Sequence, residues 1–123
     1  SDEDRNENIR RIAEISKLFI NSGIICINSF ISPTDKIRSL AKEIIGAENY
    51  FEIYLDVPIE ICEERDVKGL YKKALNGKIK NFTGISSNYE APEQADLELI
   101  TNEKSFNESI EELSKFVLPK IKK

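Results

Sequence analysis

The residues best suited to chemistry lie between positions 66 and 92, DVKGLYKKALNGKIKNFTGISSNYEAP. This stretch holds five lysines, three of the chain's five glycines and three aromatic residues, Tyr71, Phe82 and Tyr89. Lysines neutralise phosphates, glycines let a ligand approach the backbone, and Phe82 offers a flat face for a base. The mixture suits a polyanion that carries an aromatic group. A solvated, lysine-rich surface loop is the other reading of the same composition. The chain has no histidine, which removes Ser/His and Cys/His nucleophile systems and the usual zinc sites. Chemistry therefore falls to carboxylates, lysine, arginine, hydroxyls or a bound metal.

A second polar pair, Arg5 and Asn8, lies three residues apart and shares one face of the opening helical pattern. As residues alone they read as solvated side chains or as a binding pair, and solvation is the commoner fate. The 123 residues, 40% hydrophobic and 33% charged, leave room for one domain and one core of ordinary globular composition. A net charge of −4 argues against nucleic acid as a partner of the whole surface, leaving only local basic clusters. No apolar run approaches the roughly 20 residues that cross a bilayer. The first eight residues are polar or charged and do not resemble a secretory signal. Cys26 and Cys62 each sit inside an apolar run, which predicts buried free thiols in a reducing compartment, the cytoplasm.

These residues must be positioned by elements that the pattern predicts in alternation. Ser1, with an acid three residues on, caps a helix carrying Ile9, Ile12, Ala13, Ile15, Leu18, Phe19 and Ile20, which stops near Ser22 and Gly23. Residues 24–29, IICINS, suit a strand buried on both faces. Ile31-Ser32-Pro33 follow at its carboxyl end, where open α/β sheets place ligands. Thr34 caps a second helix closed by Gly46. Residues 50–55 form the next strand, and Asp56-Val57-Pro58 opens a third helix that carries Ile61 and Cys62 inward and ends near Arg65. A short helix spans 70–76, and residues 78–92 have turn chemistry. A last strand covers 96–100. Ser105 and Glu108 make a capping box for a final helix presenting Phe106, Ile110, Leu113, Phe116 and Val117, with Lys120, Lys122 and Lys123 favouring its dipole. Strands alternating with helices predict an α/β fold with a parallel sheet.

The segments SDEDRNENIRRIAEISKLF, FISP, DVPIEICEERDVKGLYKKA, KNFTGI and YEAP resemble the adenylylsulfate kinase (APS kinase) family from the first residue to about Pro92. The family's DPKGLYKKAR stands here as DVKGLYKKAL. Val67 loosens a turn and Leu75 removes a positive charge, while the glycine and lysines remain. The resemblance implies transfer of the γ-phosphate of ATP to the 3′-hydroxyl of adenosine 5′-phosphosulfate (APS), giving PAPS, with Mg²⁺ as the metal. It places substrate binding on Arg5, Asn8, Ile31, Ser32, Lys68 and Phe82. Ser32 and Lys68 take the catalytic positions, and Arg65, Ala91 and Pro92 lie near the ATP base. Ser32 matches the serine often labelled a phosphoserine intermediate in the family, although direct in-line transfer needs no enzyme hydroxyl and no histidine is present to activate one. Residues 66–92 correspond to the family's mobile lid. A homodimer, and an ATP sulfurylase domain in the full protein, are further implications of the resemblance.

The G-x-x-x-x-G-K-[ST] loop of P-loop kinases does not occur in these residues. In the family it lies upstream, as does the aspartate-rich strand end that supplies the catalytic base and most of the magnesium ligands. Residues 1–123 therefore resemble the carboxyl-terminal portion of a single three-layer αβα domain, with the P-loop strand and the second strand outside them. Family sheets run 2-3-1-4-5, so the predicted strands correspond to 3, 4 and 5, and strand 1 would lie between the first two. The expectation is a chain that, alone, is inactive and is unstable or rearranged. A non-catalytic APS/PAPS-binding regulatory module is the alternative function, and a simple interaction domain is a third reading.

Overall fold

The structure is a computed structural model that describes residues 1–122. Lys123, expected to favour the last helix's dipole, lies outside the described residues. Ser1 opens helix α1 (Asp2–Asn21): its hydroxyl accepts the Asp4 N–H at 3.1 Å, and three acids crowd the first turn at the positive end of the dipole. The helix closes at Ser22, whose N–H reaches back to the Leu18 and Phe19 carbonyls. Gly23 then turns the chain at φ 79°, a region that side chains disfavour. Helix α2 (Asp35–Ile45) starts at Thr34, whose hydroxyl accepts the Ile37 N–H, and ends at Gly46.

The two helices bury Ile9 and Ala13 against Ile37 and Ala41, flanked by Ile12, Ile44, Ile45 and Tyr50. Each large aliphatic side chain so covered is worth about 1.5–3 kcal/mol. With a 3₁₀ turn at Ala47–Asn49, they form one compact unit, Ser1–Phe51, which also includes Asn88–Pro92.

The second unit comprises Glu52–Ser87 and Glu93–Lys123. Strands β1 (Ile53–Asp56) and β2 (Leu97–Ile100) pair in parallel, Ile53 opposite Leu97 and Asp56 opposite Ile100. The ladder is started by Glu52 and Asp96: the Glu52 N–H donates to the Asp96 carboxylate at 2.7 Å, and the Asp96 N–H returns to the Glu52 carbonyl at 2.9 Å. Helices α3 (Ile59–Arg65) and α4 (Leu70–Leu75) separate the strands in sequence, and α5 (Phe106–Ile121) packs on β2, where Leu99 is buried. The capping box of Ser105 and Glu108 forms as its spacing predicts.

Several expectations need correction. Residues 24–29 run extended but belong to no ladder; among the described residues the sheet has two strands. A strand needs a neighbour's N–H and C=O groups, and no described segment offers them here. Side chains hold the run instead: the Asn28 amide donates to the Ser16 hydroxyl at 3.0 Å, and the Cys26 thiol reaches the Ser16 carbonyl at 3.8 Å. Ile24, Ile25 and Ile27 are exposed, and with Ile12, Ile15 and Phe19 they line an apolar groove of about 390 Å³.

The strand expected at 50–55 begins at Ile53, because Tyr50 packs with the α1–α2 core. The strand expected at 96–100 begins at Leu97, since Asp96 is used to start the ladder. Pro58 caps α3 instead of entering it, and α4 ends at Leu75. Both cysteines are free but half-buried, for the runs that hold them are themselves incompletely covered. Phe106 and Ile110, expected on the inward face of α5, are exposed.

Candidate functional site

In the first unit, α1 carries Arg5, half-buried, and Asn8, exposed, one turn apart. Ile31 and Ser32 lie in the loop that enters α2. Ile31 is largely exposed, whereas Ser32 is half-buried and holds φ at 44°, a left-handed conformation unusual outside glycine. What fixes that loop is Arg38, a residue for which the motifs assign no role. Its side chain is buried, with one guanidinium nitrogen donating to the Ser32 carbonyl at 2.8 Å. The other donates to the Glu90 carbonyl at 2.7 Å and pairs with the Asp35 carboxylate.

Glu90 answers from its own side: its N–H donates to the Pro33 carbonyl at 2.8 Å, and its carboxylate accepts the Asp35 N–H at 2.8 Å. Residues 31–35 and the segment holding Ala91 and Pro92 are thus bound together. Ala91 is exposed and Pro92 half-buried. The signal for Arg38 was available in the periodicity. Positions 37, 38, 41, 44 and 45 form one helical stripe, and a charged residue inside an apolar stripe requires partners.

In the second unit, Lys68 is presented by a tight turn. The Gly69 N–H bonds the Asp66 carbonyl at 2.9 Å, and Gly69 sits at φ 65°. The Asp66 carboxylate then accepts the N–H groups of Tyr71 and Lys72, both at 3.1 Å, and so covers the exposed donors that open α4. Lys68 itself is exposed. Tyr71, in the first turn of α4, meets the Phe82 ring edge-on, with centroids 5.0 Å apart at 72°. Burial raises the Tyr71 pKa above its ordinary value, with smaller contributions from Cys62, Glu63 and Asp66.

Phe82 is half-buried in a closed loop. Its carbonyl accepts the N–H groups of Ile85, Ser86 and Ser87, and its own N–H donates to the Ser86 hydroxyl at 2.8 Å. Gly84 lies so close to Ile59 that an added Cβ would stand 3.0 Å from its Cδ1. Lys68 and Phe82 are therefore linked through α4, with Asp66 and Tyr71 as supports that the motif reading did not assign. Arg65, exposed at the end of α3, donates to the Thr101 carbonyl at 3.3 Å. Among the described residues no three His, Cys, Asp or Glu side chains gather as a metal site, and no helix is long and apolar enough to cross a membrane.

Residues 1–100 match the family model for adenylylsulphate kinase. The chain belongs to the adenylylsulphate kinase family. It is 55% identical over all 123 residues to an adenylyl-sulfate kinase of Bacteroides thetaiotaomicron, covering 61% of that protein. It is 57% identical over 119 residues, 97% of the chain, to that of Phocaeicola vulgatus, covering 58% of it. The chain thus spans about three-fifths of the length of these relatives. Among solved structures it is similar to the Mycobacterium tuberculosis APS kinase CysC, described in complex with AMPPNP and APS. The TM-score is 0.88 at 38% identity, over 95% of this chain and 68% of that one. The parallel α/β architecture is accordingly that of the APS kinases, and the P-loop kinase-like class read from the sequence stands.

Proposed function

We propose that the protein to which these residues belong is an adenylylsulfate kinase. It transfers the γ-phosphoryl group of ATP to the 3′-hydroxyl of APS: the hydroxyl gives up its proton to a base, the new bond joins that oxygen to phosphorus, the bond to ADP breaks, and ADP and PAPS leave. The observation that carries this reading is likeness along the whole length of the chain to an adenylyl-sulfate kinase. Likeness in three dimensions to an APS kinase described with AMPPNP and APS supports both nucleotides as ligands.

Arg5 meets the phosphosulfate, since a guanidinium forks onto tetrahedral anions. Asn8 meets sugar or phosphate oxygens, Ile31 and Ser32 line the sulfate nucleotide, and Phe82 stacks on its adenine. Lys68 stabilises charge on the transferring phosphoryl group. Arg65, Ala91 and Pro92 border the ATP base. Magnesium, bound with ATP, would neutralise charge on its phosphates. Both compact units belong to the carboxyl-terminal portion of one kinase domain, and the P-loop belongs to the part of the domain outside residues 1–123.

On this reading residues 1–123 alone do not turn over ATP. The protein is a cytoplasmic homodimer, and an ATP sulfurylase domain in the same polypeptide is a further implication of the family. The test is a coupled assay for PAPS with the full-length protein and with residues 1–123. PAPS from the full-length protein alone is the expected result. APS binding by the full-length protein without turnover would favour a regulatory binding module, and PAPS from the fragment would overturn the assignment of phosphate handling to other residues.

A further inference from the structure

We infer that Arg38 is a positioning residue for both nucleotides: it locks the Ser32 loop and the Tyr89–Pro92 segment into one piece. This role rests on the kinase reading, which puts Ile31 and Ser32 beside APS and Ala91 and Pro92 beside the ATP base. The geometry is particular. A single buried guanidinium donates to two carbonyls 58 residues apart in sequence, those of Ser32 and Glu90, and also engages Asp35. Its planar fork of donors is suited to such a span, whereas a lysine ammonium concentrates its donors at one point.

The tie is made twice over, because Glu90 independently bonds the Pro33 carbonyl and the Asp35 N–H. It also holds a loop in an unfavourable conformation. Ser32 at φ 44° persists only where its surroundings over-determine it, and Arg38 fixes the carbonyl of that very residue. Cutting the tie frees both segments together, so the two substrates should lose affinity together. The Arg38 donors are directed at the Ser32 and Glu90 carbonyls and the Asp35 carboxylate. The arginine acts through the backbone of the residues that the kinase reading puts beside the nucleotides.

The experiment uses the full-length protein and its Arg38→Lys variant, with Glu90→Gln as a second variant that weakens the tie and leaves the arginine in place. The expected result for Arg38→Lys is a rise of about tenfold in KM for both APS and ATP. Amide exchange at Asp35 and Glu90 should accelerate, while that of Ala41 and Ile44 inside α2 stays as in wild type. Glu90→Gln should show the same pattern at smaller size. A purely structural role would lower the folded fraction and kcat with both KM values intact, and that result overturns the inference. Unaltered exchange at Asp35 and Glu90 overturns it as well. A wild-type protein that makes no PAPS defeats the kinase reading and this role with it, whereas an active wild type with unaltered variant constants defeats this role alone.

Discussion

Phe82 packs against Tyr71 in a T-shaped pair, with ring centroids 5.0 Å apart. An edge contact of this kind contributes about 0.5–1.5 kcal/mol, and base stacking about 1–3 kcal/mol. Phe82→Ala in the full-length protein is therefore expected to weaken APS binding by about 5- to 150-fold. Tyr71→Leu, which leaves the ring in place but unbraced, should cost up to about tenfold. Calorimetric titration of APS into each variant measures this, and wild-type affinity in Phe82→Ala would remove the residue from the site. That Phe82 lies in a turn-rich segment was legible in KNFTGI. The bracing by Tyr71 was not, because it depends on how the loop closes through the Phe82 carbonyl and its three N–H partners.

At the scale of elements, caps proved the most readable signals. Ser1, Thr34 and Ser105 each open a helix with the hydroxyl contact their spacing predicts, since a cap involves only four consecutive residues. Strands are less local. The β1–β2 pair places Glu98 across from Tyr54 and within hydrogen-bonding reach of Asp56. The hydrogen bond with the Asp56 carboxyl, then burial, then the Asp56 charge push the Glu98 pKa above its ordinary value. The folded state thus holds this proton more tightly than the unfolded chain does. The associated stability is full at low pH and is lost as pH rises through the raised value of the folded state. Glu98→Gln, which keeps a donor without the charge, should melt at a higher temperature than wild type at pH 7, with the gap closing toward pH 4. Equal melting at pH 7 would show that the pair carries no strain.

At the scale of the whole molecule, the core is thin. Among the described residues no large side chain is fully buried, and Ile24, Ile25, Ile27 and Phe30 are exposed along a run that belongs to no ladder. The relatives are longer than the region matched, and this chain covers 61% of the length of one of them. We propose that this run pairs with a strand from outside residues 1–123. Residues 1–123 alone should then melt at lower temperature and with less cooperativity than the full-length protein, as followed by circular dichroism. Equal, equally cooperative transitions would refute the pairing.

Taken by itself, the amino-acid sequence determined the helices, their caps, the parallel α/β class and the identity of the motif residues. These depend on neighbours within a turn or on spacing along one chain. Tertiary structure alone decided that residues 24–29 are extended without being a strand, since a ladder requires a second backbone. It alone disclosed the span of Arg38 between Ser32 and Glu90, for no local rule brings together carbonyls so distant in the chain. Burial turns an ordinary surface arginine into a fixed tie, and burial is a property of the fold.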